Sequence, residues 1–257
     1  VKLERALAES CDVYFYELGK RLGVETLARY ARIFGLGSST GIGIPGEVSG
    51  LVPTPEWKMR TRGERWIAGE TISLSIGQGA NLTTPLQLAV AYAAIANGGK
   101  IVQPRLVLRR ETWDGVVVDE TQPVILAENI IARPILELVT QGLTSVVMSP
   151  RGTGRRARVP GITVAGKSGT TQVVSLDQFE GFEPDEIPVR FRDHALFVAF
   201  APVESPEIVV VAIAEHSGGG GGSVAAPMVQ KVLAEYFRKT ERKVPSQLAV
   251  VSLGAIR

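Results

Sequence analysis

Three runs near the end of the chain constrain its fold more than any other feature: GITVAGKSGTTQVV from Gly161, HALFVAFAP from His194 and EIVVVAIAE from Glu207. Each is β-branched or aromatic, and each is bounded by turn residues, which predicts three strands. A helix over about Val224 to Lys239 follows the glycine run SGGGGGS, a segment that resembles a flexible linker and is read here as a native turn. The earlier part of the chain is mainly helical in pattern. Helices first, antiparallel strands later and a closing helix predict an α+β domain in which helices cover a sheet.

Within the helical part, Leu3, Leu7, Ser10, Tyr14 and Leu18 recur at three- and four-residue steps along one stripe. Either one helix runs through Ser10, or Ser10 and Asp12 interrupt it and cap a second. A further amphipathic helix is predicted from Val24 to Phe34, ending at Gly35 and Gly37, and TGIGIPGEVSG then reads as an irregular connection. In TTPLQLAVAYAAIANGG, Thr84 can cap a helix, Pro85 suits its first turn and Gly98 can end it. Its apolar residues lie nearly all round, so burial is expected. Strands are predicted around IVQPRLVL and GVVVD, then a helix from Glu128 to Met148 with Pro134 at its first turn or at a kink.

At 257 residues and 45% hydrophobic composition, the chain can bury one large core. A net charge of +2 from 28 basic and 26 acidic residues gives no field for a nucleic-acid partner. The one basic cluster, RGTGRRARVP with Arg151, Arg155, Arg156 and Arg158, reads as a solvated, mobile loop, with a binding patch as the alternative. The two histidines and one cysteine are too few for an ordinary zinc site, and neither a metal nor a cofactor is expected. No apolar run reaches the roughly 18 to 20 residues that cross a bilayer. Without a leader pattern either, the expectation is a soluble polypeptide, and an opening like a helix interior reads as a fragment.

From Gly161 to Ser168 the chain spells G-x-x-x-x-G-K-S, the phosphate-cradling pattern. That chemistry needs a curled loop opening a helix, so that backbone N–H groups surround the phosphates. Here Ile162 to Ala165 favour extended backbone, and GTTQVV after Ser168 is a poor helix start. The same letters on a strand suit acyl transfer instead. Lys167 brings an ammonium that can orient a carboxylate, and Ser168 a hydroxyl that can bind one. Gly169 lets an extended ligand approach the backbone, and the N–H of Thr170 is a candidate oxyanion donor.

With SCD at Ser10 to Asp12 and KSG at Lys167 to Gly169, and with SIGQGANLTTPLQLAVAYAAIANGG, RDHALFVAFAP and EHSGGGGGSVAAP between and after them, the chain resembles the class B penicillin-binding protein 2 family over nearly its whole length. The resemblance implies the penicillin-binding-protein transpeptidase or β-lactamase-like fold, lacking its N-terminal nucleophile helix, over 1–257 with a flexible tail at 241–257. The family's S-x-x-K motif is missing, because no serine here is followed three positions later by lysine. In that family a serine attacks the D-Ala-D-Ala amide of a peptidoglycan stem peptide and passes the acyl group to a second stem's amine.

By resemblance Ser10 relays a proton to the leaving amine, and Asp12 orients a lysine or the substrate backbone. Lys167 is then catalytic, while Ser168, Gly169 and Thr170 bind substrate, in a groove that Lys167 shares with Ser10. Asp12 stands where many relatives carry asparagine, which replaces a donor and acceptor by an acceptor. The resemblance further implies acylation by β-lactams, a membrane anchor with the catalytic domain outside the cytoplasmic membrane, and elongation-complex partners including a glycan polymerase. The alternatives are a non-catalytic β-lactam sensor or scaffold of the same fold and, on the phosphate-loop letters, a nucleotide enzyme. His194 is expected to be a hydrogen-bonded structural histidine, and Gln78, between Gly77 and Gly79, part of a turn supporting the cleft.

Overall fold

The computed structural model describes residues 1–174, 179, 181–182 and 186–240; the tail at 241–257 lies outside them. The predicted strands form one antiparallel sheet in the order β5 (Ala165–Thr171), β6 (His194–Ala201) and β7 (Ile208–Ala214). In β6, Ala195, Phe197, Ala199 and Ala201 are fully buried against α7 (Ala225–Lys239), together with Val229, Leu233 and Phe237. Phe200 faces the other way and packs with Leu143 and Ala165. A central strand buried on both faces needs apolar residues at consecutive positions, and HALFVAFA supplies them. Among the described residues its neighbour β5 pairs with β6 alone, so its other edge is open there.

The phosphate-loop reading is excluded by the backbone. Gly161 makes a turn at φ +74°, but Lys167 and Ser168 sit inside β5, paired with Val198 and Phe197. No helix follows Ser168 within the residues up to 174. The strand starts at Ala165, later than predicted, because the Val159–Ile162 bridge closes a turn first.

Of the two options at the start of the chain, the interruption holds. The first helix, α1 (Leu3–Ala8), stops where Ser10 adopts φ +52°, while α2 (Asp12–Ile33) begins beyond Cys11, whose side chain makes no capping bond. A break at Gly23, φ +73°, separates the helix predicted from Val24. Helix α5 (Pro85–Ala96) starts as expected, with Thr84 accepting from the Gln87 N–H. Its burial is less than predicted: Gln87, Ala91 and Ala94 are buried, and the rest is half-buried or exposed.

IVQPRLVL is not one strand. Ile101–Val102 (β1) pairs with Ile125–Ala127 (β4), and the separate ribbon of β2 (Arg109–Glu111) and β3 (Val117–Glu120) comes later. Pro104, which lacks an N–H, stands where the ladder stops. Helix α6 (Arg133–Met148) carries Pro134 in its first turn. Two short helices went unpredicted: α3 (Pro55–Arg62), capped by Thr54, and α4 (Ala68–Ser75).

The arginine-rich loop also departs from expectation. It is pinned: Gly152, Gly154, Ala157 and Val159 are buried, and Arg158 donates to the carbonyls of Val147, Met148 and Ser149 at the end of α6. Those terminal carbonyls lack helical partners, and a guanidinium fork satisfies three at once. The glycine run is equally fixed. A Cβ on Gly221 would lie 2.2 Å from the Leu196 carbonyl and 2.4 Å from that of Gly169, so the loop lies on the sheet where only glycine fits.

Candidate active site

Helix α1 is placed by α6: Gly142 leaves room for Leu7, whose Cδ1 would be 2.4 Å from a Cβ there, and Ser145 donates to Glu4 at 2.6 Å. The α1 C-terminus closes with paired backbone bonds, from Ser10 N–H to Leu7 O at 3.3 Å and from Cys11 N–H to Ala6 O at 2.9 Å. This termination requires a left-handed residue that is usually glycine. Ser10 occupies it instead, at a backbone cost of about 1 kcal/mol or more. The strained position turns its hydroxyl toward the sheet edge.

There Lys167 Nζ donates to Ser10 Oγ at 2.8 Å and to the Ser168 carbonyl at 2.9 Å. The two side chains are 157 positions apart in sequence. Asp12, at the start of α2, lines the same cleft and acts on the lysine through its charge rather than through a hydrogen bond. Burial pushes the Lys167 ammonium down to about 8, and the Asp12 carboxylate partly opposes the shift. Lys167 is therefore a cation that can give up its proton near neutral pH.

The open edge of β5 presents the backbone of Ser168 and Thr170. Gln78, in a turn between Gly77 and Gly79, donates Nε2–H to the Thr170 carbonyl at 2.8 Å. A strand residue's N–H and C=O project to the same side, so the Thr170 N–H also faces the cleft. Gln78 rides on α4, which docks closely on α2 because a Cβ on Gly19 would reach Ser75 Cβ at 2.5 Å. For Gly169, a Cβ would meet Leu196 at an ordinary 3.4 Å; internal packing does not require glycine there.

Thr153 was not singled out from sequence. Its N–H donates to Ala8 O at 3.0 Å, and its hydroxyl is 3.0 Å from Ser168 Oγ. It thereby ties the end of α1 to the strand carrying Lys167. Only the adjacent glycines Gly152 and Gly154, whose Cβ atoms would strike Val146 O and the Phe197 ring, hinted at a close approach. His194 lies at the strand end, its Nδ1 accepting from the His216 N–H at 2.8 Å, as expected of a structural histidine. The whole cleft measures about 1210 Å³, with Leu7, Phe15, Ile72 and Ile76 among its apolar walls.

Residues 1–234 match the family described as penicillin binding protein transpeptidase domain. Among curated proteins, the peptidoglycan D,D-transpeptidase MrdA of Acinetobacter baumannii is 39% identical over 245 residues, covering 95% of this chain and 36% of its own. The chain thus spans about a third of the length of such relatives. Among solved structures, Pseudomonas aeruginosa PBP2 in complex with WCK 5153 superposes with a TM-score of 0.76 at 36% identity, covering 97% of this chain and 50% of that one. The Helicobacter pylori complex of PBP2 with MreC gives 0.76 at 28%, covering 94% and 41%.

Proposed function

Since the chain belongs to the penicillin-binding protein transpeptidase domain family, we propose that it supplies the sheet-edge half of a serine D,D-transpeptidase site. The observation that carries this reading is the bond from Lys167 Nζ to Ser10 Oγ at the open edge of β5. It joins a proton-carrying hydroxyl to a cation whose pKa is already lowered. The 257 residues contain no S-x-x-K, so the nucleophile and its lysine belong to chain outside them.

In the proposed reaction, that serine's oxygen bonds to the carbonyl carbon of the penultimate D-alanine, and its proton passes to the neighbouring lysine. The C–N bond breaks, and the departing D-alanine amine takes a proton relayed through Ser10. A second stem's amine then attacks the ester, regenerating the serine. Lys167 and Ser168 orient the terminal carboxylate, with Asp12 holding the field around the lysine. The Thr170 N–H stabilises the oxyanion, a contribution of about 2.7 to 4 kcal/mol for one such donor.

The backbone edge beside Gly169 takes the extended peptide. Gln78 must yield the Thr170 carbonyl, or share it, when that peptide pairs. β-Lactams are proposed to acylate the same site. The likeness to the Helicobacter pylori PBP2 solved in complex with MreC supports a protein partner of that kind, and a membrane-anchored parent protein with this domain outside the cytoplasmic membrane is part of the same proposal.

The test is labelling of the full-length protein with a fluorescent penicillin, followed by peptide mapping. One adduct on a serine outside these 257 residues is expected. An adduct within them contradicts the proposal, as does no covalent adduct at all; the latter result supports a sensor or scaffold.

A further inference from the structure

The cleft carries more positive charge than the reaction uses. Arg151, Arg155, Arg156 and Lys167 line it, against Asp12 and Asp193. Arg151 is engaged by Glu9 at 2.9 Å, and Lys167 by Ser10. Arg156 spends one nitrogen on the Ser223 carbonyl at 3.1 Å. Arg155 makes no side-chain hydrogen bond or ion pair among the described residues.

These arginines are not a loose surface run. Arg155 and Arg156 stand on a 3-10 turn, Arg155–Ala157, whose Ala157 is fully buried in the core under α7. Gly154, just before the turn, packs so closely that a Cβ would lie 2.6 Å from the Phe197 ring. The turn follows Thr153, whose hydroxyl meets Ser168, and Arg156 reaches the glycine-rich loop whose Gly220 neighbours Thr170 Oγ1. The backbone of the turn is thus held beside the face of β5 that carries the Ser168 and Thr170 side chains, and the Arg155 and Arg156 side chains line the cleft there. A rigid backbone lowers the entropy lost when such a fork closes on a ligand.

We infer that Arg155, backed by Arg156, forms a second anion subsite that takes a side-chain carboxylate of the donor peptide, distinct from the terminal carboxylate assigned to Lys167 and Ser168. This rests on the proposed transpeptidase reading for the identity of the ligand. A planar guanidinium matches a carboxylate with two parallel N–H donors, whereas a carboxamide offers only one oxygen and adds a donor facing a cation.

The experiment uses the full-length protein and two peptides ending in D-Ala-D-Ala, one with a free side-chain carboxylate and one with the carboxamide at that position. Calorimetric Kd values are measured for wild type, Arg155→Gln, Arg155→Lys and Arg133→Gln. Arg133 pairs with Glu137 on α6 and does not line the cleft. The expected result is a preference of about tenfold for the carboxylate peptide, equivalent to about 1.4 kcal/mol. That preference should vanish in Arg155→Gln, survive in part in Arg155→Lys and stay intact in Arg133→Gln. Equal affinities in wild type overturn the inference, as does a preference that Arg155→Gln retains. Penicillin labelling of the same wild-type sample separates the two readings: labelled protein without the preference refutes only the subsite, and unlabelled protein with it refutes only the enzyme.

Discussion

The β5–β6–β7 sheet and the β2–β3 ribbon are both antiparallel and both contain β-branched runs, yet they end in opposite environments. Seven of the eight residues of β6 contribute apolar side chains, and from Ala195 to Ala201 all but Leu196 are buried. Every residue of β2 and β3 is exposed, and Trp113 at the ribbon's tip is 99% exposed. The difference lies in what covers them. The apolar stripe of α7 closes one face of the sheet and α5 and α6 the other, whereas the charges of RRE and VVDE deny the ribbon any such partner. Extended backbone is decided locally; burial is decided by distant elements with matching faces.

The sharpest way to break that contrast is Phe197→Ala, which empties a fully buried position. A loss of about 3–5 kcal/mol is expected in urea unfolding, from lost transfer energy and the cavity together. Next comes Gly221→Ala, whose methyl would collide with the carbonyls of Leu196 and Gly169 and lift the glycine loop off the sheet. Overpacking of this kind costs about 1–3 kcal/mol, and penicillin acylation of the full-length protein should slow with it.

Smaller still is the difference between two changes at Ser10. Both Ser10→Gly and Ser10→Ala remove the hydroxyl that Lys167 binds, but only glycine is at ease at φ +52°. The glycine variant should be more stable by about 1 kcal/mol, with acylation impaired alike in both. Trp113→Ala should fall within about 0.5 kcal/mol of wild type, as for an exposed side chain with no burial to lose. A large loss there would show that the ribbon is covered in solution and end the contrast.

What was legible in the sequence follows the same division. The three strands, α5 with its Thr84 cap, α6 and α7 could be read because period, caps and turns are local signals. The motif letters at Ser10 and Lys167 pointed to chemistry only through resemblance, since nothing local predicts a bond across 157 positions. Helices α3 and α4 were missed although Thr54 and Pro55 mark a helix start; both are eight residues long, too short for a clear period. Burial of α5 was overestimated because hydropathy alone does not say which faces of a helix its neighbours cover; only Gln87, Ala91 and Ala94 are buried. Gln78 was placed in a supporting turn, but its bond to the Thr170 carbonyl spans 92 positions. Thr153 gave no signal beyond its flanking glycines, as its hydroxyl matters only once β5 has brought Ser168 beside it.

The central geometric claim is that Lys167 is held half-buried beside Ser10 and within the field of Asp12. A pH titration of the Lys167 ammonium by nitrogen-detected NMR tests it directly. The midpoint should lie at about 8 rather than the usual 10.5, and Asp12→Asn should move it lower still, since the carboxylate favours the charged form. The sign also fixes stability: the folded lysine binds its proton less tightly than the unfolded one, so its cost to folding is full below about pH 8 and fades as pH rises toward 10.5. Affinity for a terminal carboxylate should fall over the rise through pH 8. A midpoint near 10.5 that ignores Asp12→Asn would contradict the account, because it would place the lysine in solvent, away from both Ser10 and Asp12.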